Sequence, residues 1–226
     1  MRAFNRLSVQ SKLMSMLLAV SIGSILVIAY EGYRSGRRAI EDSVVKQLVG
    51  LRTSKARQIE AYFGTLRSEM KILGTSPSTA VAMKDFATSY RSVLGDSKTL
   101  DAQKASGLRK YYKDVFAPRL SDGTGEAVDS DAFLPASILS RYLQSAYIVD
   151  NANAVGEKEK LDNVGDGSSY SAFHQRHHPI LRQIVEEFDY YDLFLIDPDG
   201  NIVYSVEKEV DFATNLQLGP YARSGL

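Results

Sequence analysis

Between Lys12 and Glu31 the chain carries eighteen residues without a charge, "LMSMLLAVSIGSILVIAY" from Leu13 to Tyr30. As a helix this run is about 27 Å long, close to the roughly 30 Å of a bilayer's hydrocarbon core. Gly23 and the serines are tolerated in such a helix, and Tyr30 and Tyr33 stand where an interfacial aromatic belt falls. A cleaved signal peptide has an apolar stretch of about 7–15 residues and a prompt small-residue cleavage site, and this run fits neither. The run is read as a retained membrane helix over residues 13–33, preceded by a short tail over 1–12. Charge counting leaves its orientation open: Arg2, Arg6 and Lys12 precede the run, and Arg34, Arg37 and Arg38 follow it.

Beyond the anchor, apolar residues recur at steps of three and four: Ile40, Val44, Leu48, Leu51, Ile59, Tyr62/Phe63, Leu66, Met70 and Leu73. The opposite face carries Glu41, Lys46, Arg52, Arg57, Glu60 and Arg67, the pattern of an amphipathic helix. Gly50 and Gly64 weaken it, and Gly74 with Pro77 ends it, so residues 34–75 are read as a long stalk helix. Its stripe would pack on a second copy or on a helix of the residues that follow it.

Residues 76–188 are read as a helical region, with helices over 77–90, 108–120 and 134–148, and a loop between Pro118 and Pro135. Residues 149–169 lack periodicity, the mark of a functional or mobile loop. Asp162, Asp166 and Ser168 in it match no EF-hand spacing. His174 and His178 stand four apart, the spacing of the histidines in an H-E-x-x-H zinc enzyme. Gln175 replaces the general-base Glu, Pro179 follows, and no third ligand is evident, so packing and hydrogen bonding are preferred to metal binding.

Composition excludes several classes. Lys+Arg and Asp+Glu both number 27, so no bulk field draws nucleic acid. Without Cys there are neither disulfides nor Cys–metal sites. No nucleophile elbow, P-loop, dinucleotide fingerprint or kinase signature is present, so no catalytic residue and no cofactor is assigned.

Residues 192–197, "DLFLID", and 201–206, "NIVYSV", read as strands joined by the turn Pro198-Asp199-Gly200. A lone hairpin is marginal in water, so the sheet over 189–226 is expected to be incomplete, with an open edge. The fold class is therefore α+β: a transmembrane helix, a long helix and a helical region leading into an antiparallel sheet.

"LIDPDGNIVYSVEKEVDFATNL" resembles the first hairpin of the Cache-type, PAS-related extracytoplasmic sensor domains of bacterial receptors. "LRTSKARQIEAYFGTLRSEM", "YIVDNANAVGEKEKLDNVGDGSSYSAFHQRHHPILR", "GPYARSGL" and the membrane run with its flanks resemble one subgroup of them. His177 departs from that pattern, which has an aromatic residue there. The resemblance implies a bacterial inner-membrane receptor with a cytoplasmic tail and with residues after about 33 outside. It implies a second membrane helix, a HAMP linker and an output beyond these residues. That output is an adenylate/guanylate cyclase, or alternatively a histidine kinase, a phosphatase or a methyl-accepting signalling domain. The expected partners are an unidentified small molecule, the bilayer and a second copy of the chain. The candidate ligand-binding residues are Tyr191, Tyr204, Lys208 and Asp211, polar groups on or beside the hairpin. A membrane-anchored scaffold is the competing reading, with a zinc hydrolase last.

Overall fold

A computed structural model describes residues 8–93, 95 and 100–222. Arg2 and Arg6 of the tail, and the last four residues of "GPYARSGL", lie outside the described residues. The chain divides into two units, Met1–Lys71 and Ile72–Leu226.

Among its described residues the first unit is a single helix. The apolar run and the stalk expected beyond it are one unbroken element, α1 (Val9–Thr75), and no residue of it is buried. Gly50 and Gly64 pass through without a break, because a mid-helix Gly costs only about 1 kcal/mol against Ala. Within the apolar run Ser15 and Ser24 turn their hydroxyls back to the carbonyls of Ser11 (2.8 Å) and Val20 (2.9 Å). Each hydroxyl is thereby satisfied inside the helix, as a lipid environment demands. The element is long and apolar enough to cross a membrane.

The second unit is mostly helical, with one small sheet. Helix α2 (Pro77–Ser92) opens with Pro77 in its first turn, where a missing N–H costs nothing. Next come α3 (Ala102–Tyr111), a π-helical turn (Tyr112–Phe116) and α4 (Ala117–Thr124). The loop expected from Pro118 onward therefore starts later. Pro118 lies in the first turn of α4, and Gly125 (φ 73°) ends that helix in the left-handed conformation. After the short α5 (Ser130–Phe133), Ser137 caps α6 (Ile138–Gln144), which continues into a π-helical turn (Ser145–Val149). The loop after it holds one 3₁₀ turn (Lys158–Lys160) before α7 (Ser169–Phe188).

Strands β1 (Phe194–Ile196) and β2 (Ile202–Ser205) pair antiparallel, with Leu195 opposite Tyr204 and a bulge between Leu195 and Ile196. Asp197 caps the turn: its Oδ1 accepts from the backbone N–H groups of Asp199 and Asn201, both at 3.0 Å. Gly200 supplies the positive φ, 82°. The far edge of β2, expected to be open, is met at its start by the returning chain, which forms an isolated bridge between Asn201 and Asn215. Ile202 N–H donates to the Thr214 carbonyl (2.9 Å) and Leu216 N–H to the Gly200 carbonyl (2.8 Å).

The core lies where α2, α6, α7 and β2 meet. Phe86 of α2 packs at a tilt against Tyr204 of β2 (ring centroids 4.4 Å) and Tyr170 of α7 (5.4 Å). Because the tyrosine rings carry hydroxyls, their burial demands partners. Tyr170 donates to the Val203 carbonyl (2.7 Å) and Tyr90 to that of Ala213 (3.2 Å). Gln144 bridges from α6 to the carbonyls of Val210 and Phe212, both at 2.8 Å, and so ties the chain beyond β2 to the helices.

Candidate functional site

The segment after β2, Val206–Phe212, runs over this core and places three acids and a lysine within five residues: Glu207, Lys208, Glu209 and Asp211. One wall of a cleft of about 430 Å³ is made by Tyr191 and Glu207–Val210. Tyr111, Phe116 and Arg119, on α3, the π turn and α4, form a second wall, and Val155, Gly156 and Lys158 of the loop close a third side. The Tyr191 hydroxyl donates to Glu209 Oε2 (2.8 Å) across the mouth, and the ring is 78% exposed. Lys158 is tied down from behind, its ammonium donating to the carbonyls of Asn151 (2.7 Å) and Asn153 (2.6 Å).

Lys208 is the unusual residue. Its backbone is left-handed (φ 56°), a conformation that costs a non-Gly residue about 1–2 kcal/mol. That geometry folds its side chain inward. It is buried, its ammonium donates to the Ser205 carbonyl, and it stands over the ring of Tyr204, 4.2 Å from the centroid. Phe212 and Tyr147 complete the aromatic surround at 5.2 and 5.9 Å. Cation–π attraction offsets part of the desolvation there. Burial still pushes the ammonium's pKa down, against the attraction of Asp192 and Glu207.

The carboxylates respond in the opposite sense. Glu207 is pushed up to about 7, first by burial and then by Glu159, Asp192 and Glu209 around it. Asp211, 9% exposed, is also pushed up to about 7, by burial and then by Asp192 and Glu209. Asp192 Oδ1 accepts from the backbone of Leu193 (2.6 Å), Val206 (2.8 Å) and Glu207 (3.1 Å), pinning the ends of the hairpin together. Its other oxygen and Asp211 Oδ1 have no hydrogen-bond partner among the described residues. Burial and mutual repulsion thus make the acids around Lys208 hold their protons more tightly than they would in water.

Of the four residues selected from sequence, Tyr191 and Lys208 meet at this cleft. Tyr204 and Asp211 lie behind it. Tyr204 is fully buried and sits under the lysine. Its O–H donates to His178 Nδ1 (2.6 Å), while His178 Nε2–H donates to the Glu159 carbonyl (2.5 Å). A carbonyl only accepts, so these two bonds define the neutral tautomer. Burial, and next Lys208, hold that ring neutral by lowering its pKa to about 3. His174 stacks on it (centroids 4.3 Å) and donates from Nδ1 to the Asp162 carbonyl (2.8 Å). His177 donates to Asp85 (2.8 Å), joining α7 to α2. All three histidines thus serve packing and hydrogen bonding, and among the described residues no group of three His, Cys, Asp or Glu side chains is placed to hold a metal.

Glu207, Glu209, Lys158, Arg119 and Tyr111 were not singled out from sequence. The run "EKE" beside β2 was the available signal for the first two. The others arrive from more than forty residues away, and only the fold brings them there.

Comparison of the chain with protein-family models, with curated proteins and with solved structures returned no match.

Proposed function

We propose that this chain is the ligand-sensing and transmembrane-signalling portion of a bacterial membrane receptor of the Cache type. The observation that carries the reading is the continuity of α1. One helix includes the apolar run and continues without interruption to Thr75, two residues before α2 begins. Residues after about 33 lie outside the cell, and a small molecule occupies the cleft beside Tyr191, Glu207 and Lys208. Binding biases the sensor between two arrangements by its differential affinity for them.

A second copy of the chain is the partner for α1. Leu48, Ile59 and Met70 fall 11 residues apart, as do Leu51, Tyr62 and Leu73. An 11-residue repeat keeps an apolar seam nearly parallel to a helix axis, which suits two long helices side by side. The output is a nucleotide cyclase; chemotaxis and phosphotransfer outputs would use the same sensor.

The chain has no Cys, so a single introduced thiol reports location cleanly. In intact cells, Gly123→Cys is expected to react with a membrane-impermeant maleimide, and Lys12→Cys only after lysis. The reverse pattern, or a chain recovered in the soluble fraction, would sink the topology. For the sensor half, a screen of small polar metabolites is expected to yield one that raises the melting temperature of wild type but not of Glu209→Gln. A screen with no such compound removes that half of the reading.

A further inference from the structure

We infer that Arg34 and Arg38, just beyond the apolar run, bind the phosphodiester of anionic phospholipid headgroups in the leaflet that α1 enters after Tyr30. The inference rests on the membrane reading above and adds a partner to it.

Tyr30, Arg34 and Arg38 follow one another at steps of four, so they form a single row on α1. Both arginines are exposed. Arg37, between them, is engaged by Glu41 (2.8 Å), whereas neither Arg34 nor Arg38 forms an ion pair among the described residues. At 1.5 Å per residue, their Cα atoms stand about 6 and 12 Å beyond Tyr30 along the axis. The headgroup layer is roughly 5–8 Å thick on each side of the hydrocarbon.

Direction decides what these side chains reach. Side chains on an α-helix lean toward its N-terminus, which for Arg34 and Arg38 means back toward the apolar run. A cation that follows a membrane segment is therefore aimed into the headgroups. Lys12, which precedes the run, leans away from it by the same rule. Guanidinium groups meet phosphate oxygens in a two-pronged geometry that ammonium lacks. Glu31, one residue past the run, is the only acid between Tyr30 and Arg38 and sits near this row. It opposes an anionic headgroup, so its removal is expected to strengthen the contact.

The test is the full chain in nanodiscs of mixed phosphatidylglycerol and phosphatidylcholine, with co-retained lipids counted by native mass spectrometry. Wild type is expected to retain phosphatidylglycerol above its bulk proportion. Arg34→Gln and Arg38→Gln should each reduce that preference about fivefold. Glu31→Gln should raise it, and Arg52→Gln, farther along the helix, should leave it unchanged. A chain that resists alkaline extraction yet shows no preference, or one indifferent to both arginine changes, overturns the inference and leaves the membrane reading standing. A chain released by alkali overturns both.

Discussion

Ile59 of α1 and Phe86 of α2 are both large apolar residues on helices, yet Ile59 is 56% exposed and Phe86 is not exposed at all. The same contrast runs through the two units. In residues 8–71 every backbone bond is local and no side chain is buried, so a change there is felt by the helix alone. In residues 72–222, side chains far apart in sequence share one core, and a change is felt by four elements. A chain can thus present hydrophobic surface in two ways: as a continuous face for lipid or a partner, or as an interior already closed.

The largest expected effect separates these regimes directly. Phe86→Ala should cost the second unit about 3–5 kcal/mol in denaturant unfolding. Ile59→Ala should move the same transition by less than about 0.5 kcal/mol. Equal costs would mean that the two regions do not differ as described.

Tyr204→Phe comes next. It keeps the ring against Phe86 but leaves His178 Nδ1 without its donor. An orphaned buried acceptor costs about 2 kcal/mol, and an unchanged stability would show that the hydrogen bond adds nothing.

Asp211 adds a pH dependence confined to the second unit. Its folded pKa, about 7, lies above the ordinary carboxylate value of 3.8. The folded state therefore holds the proton more tightly than the unfolded one, and stability falls as pH rises from about 4 to 7. Relative to wild type, Asp211→Asn should gain on the order of 1 kcal/mol between pH 5 and pH 8. His178, whose folded pKa is lowered to about 3, works the other way, losing stability as pH falls from about 6.5 toward 3. A melting-temperature difference between Asp211→Asn and wild type that is flat across pH 5–8 would contradict the buried placement of Asp211.

The smallest effect compares two glycines. A Cβ at Gly50 meets nothing within 4 Å, so Gly50→Ala should raise helix stability by about 0.5–1 kcal/mol, seen as added helicity on warming. At Gly200 the φ of 82° and the Gln217 side chain at 3.1 Å make the same change unfavourable by about 1–2 kcal/mol.

What could be read from the chain was whatever depends on neighbours in sequence. The apolar run declared itself because crossing a bilayer needs only length and the absence of charge. The stalk declared itself by steps of three and four, and the hairpin by Pro198-Asp199-Gly200. The long loop at 149–169 was legible for the same reason, whereas the helix that bears the histidines was not assigned from the pattern.

The cleft was not legible, because its walls come from four separate stretches of chain. Tyr204 shows the limit most clearly: by pattern it is one face of a two-faced strand with a polar tip. β2 is buried along its length because Phe86 of α2 and Tyr170 and His178 of α7 pack against it, and the hydroxyl then turns to His178. The sequence by itself determined the long apolar helix, the hairpin and the α+β class, each set by local periodicity and turn chemistry. Only the tertiary structure decided that Lys208 lies over an aromatic floor, that Glu207 and Asp211 titrate near neutrality, and that Tyr191 and Arg119 share a cleft. Burial and electrostatic proximity are properties of residues distant in sequence, and they exist only once the chain has closed.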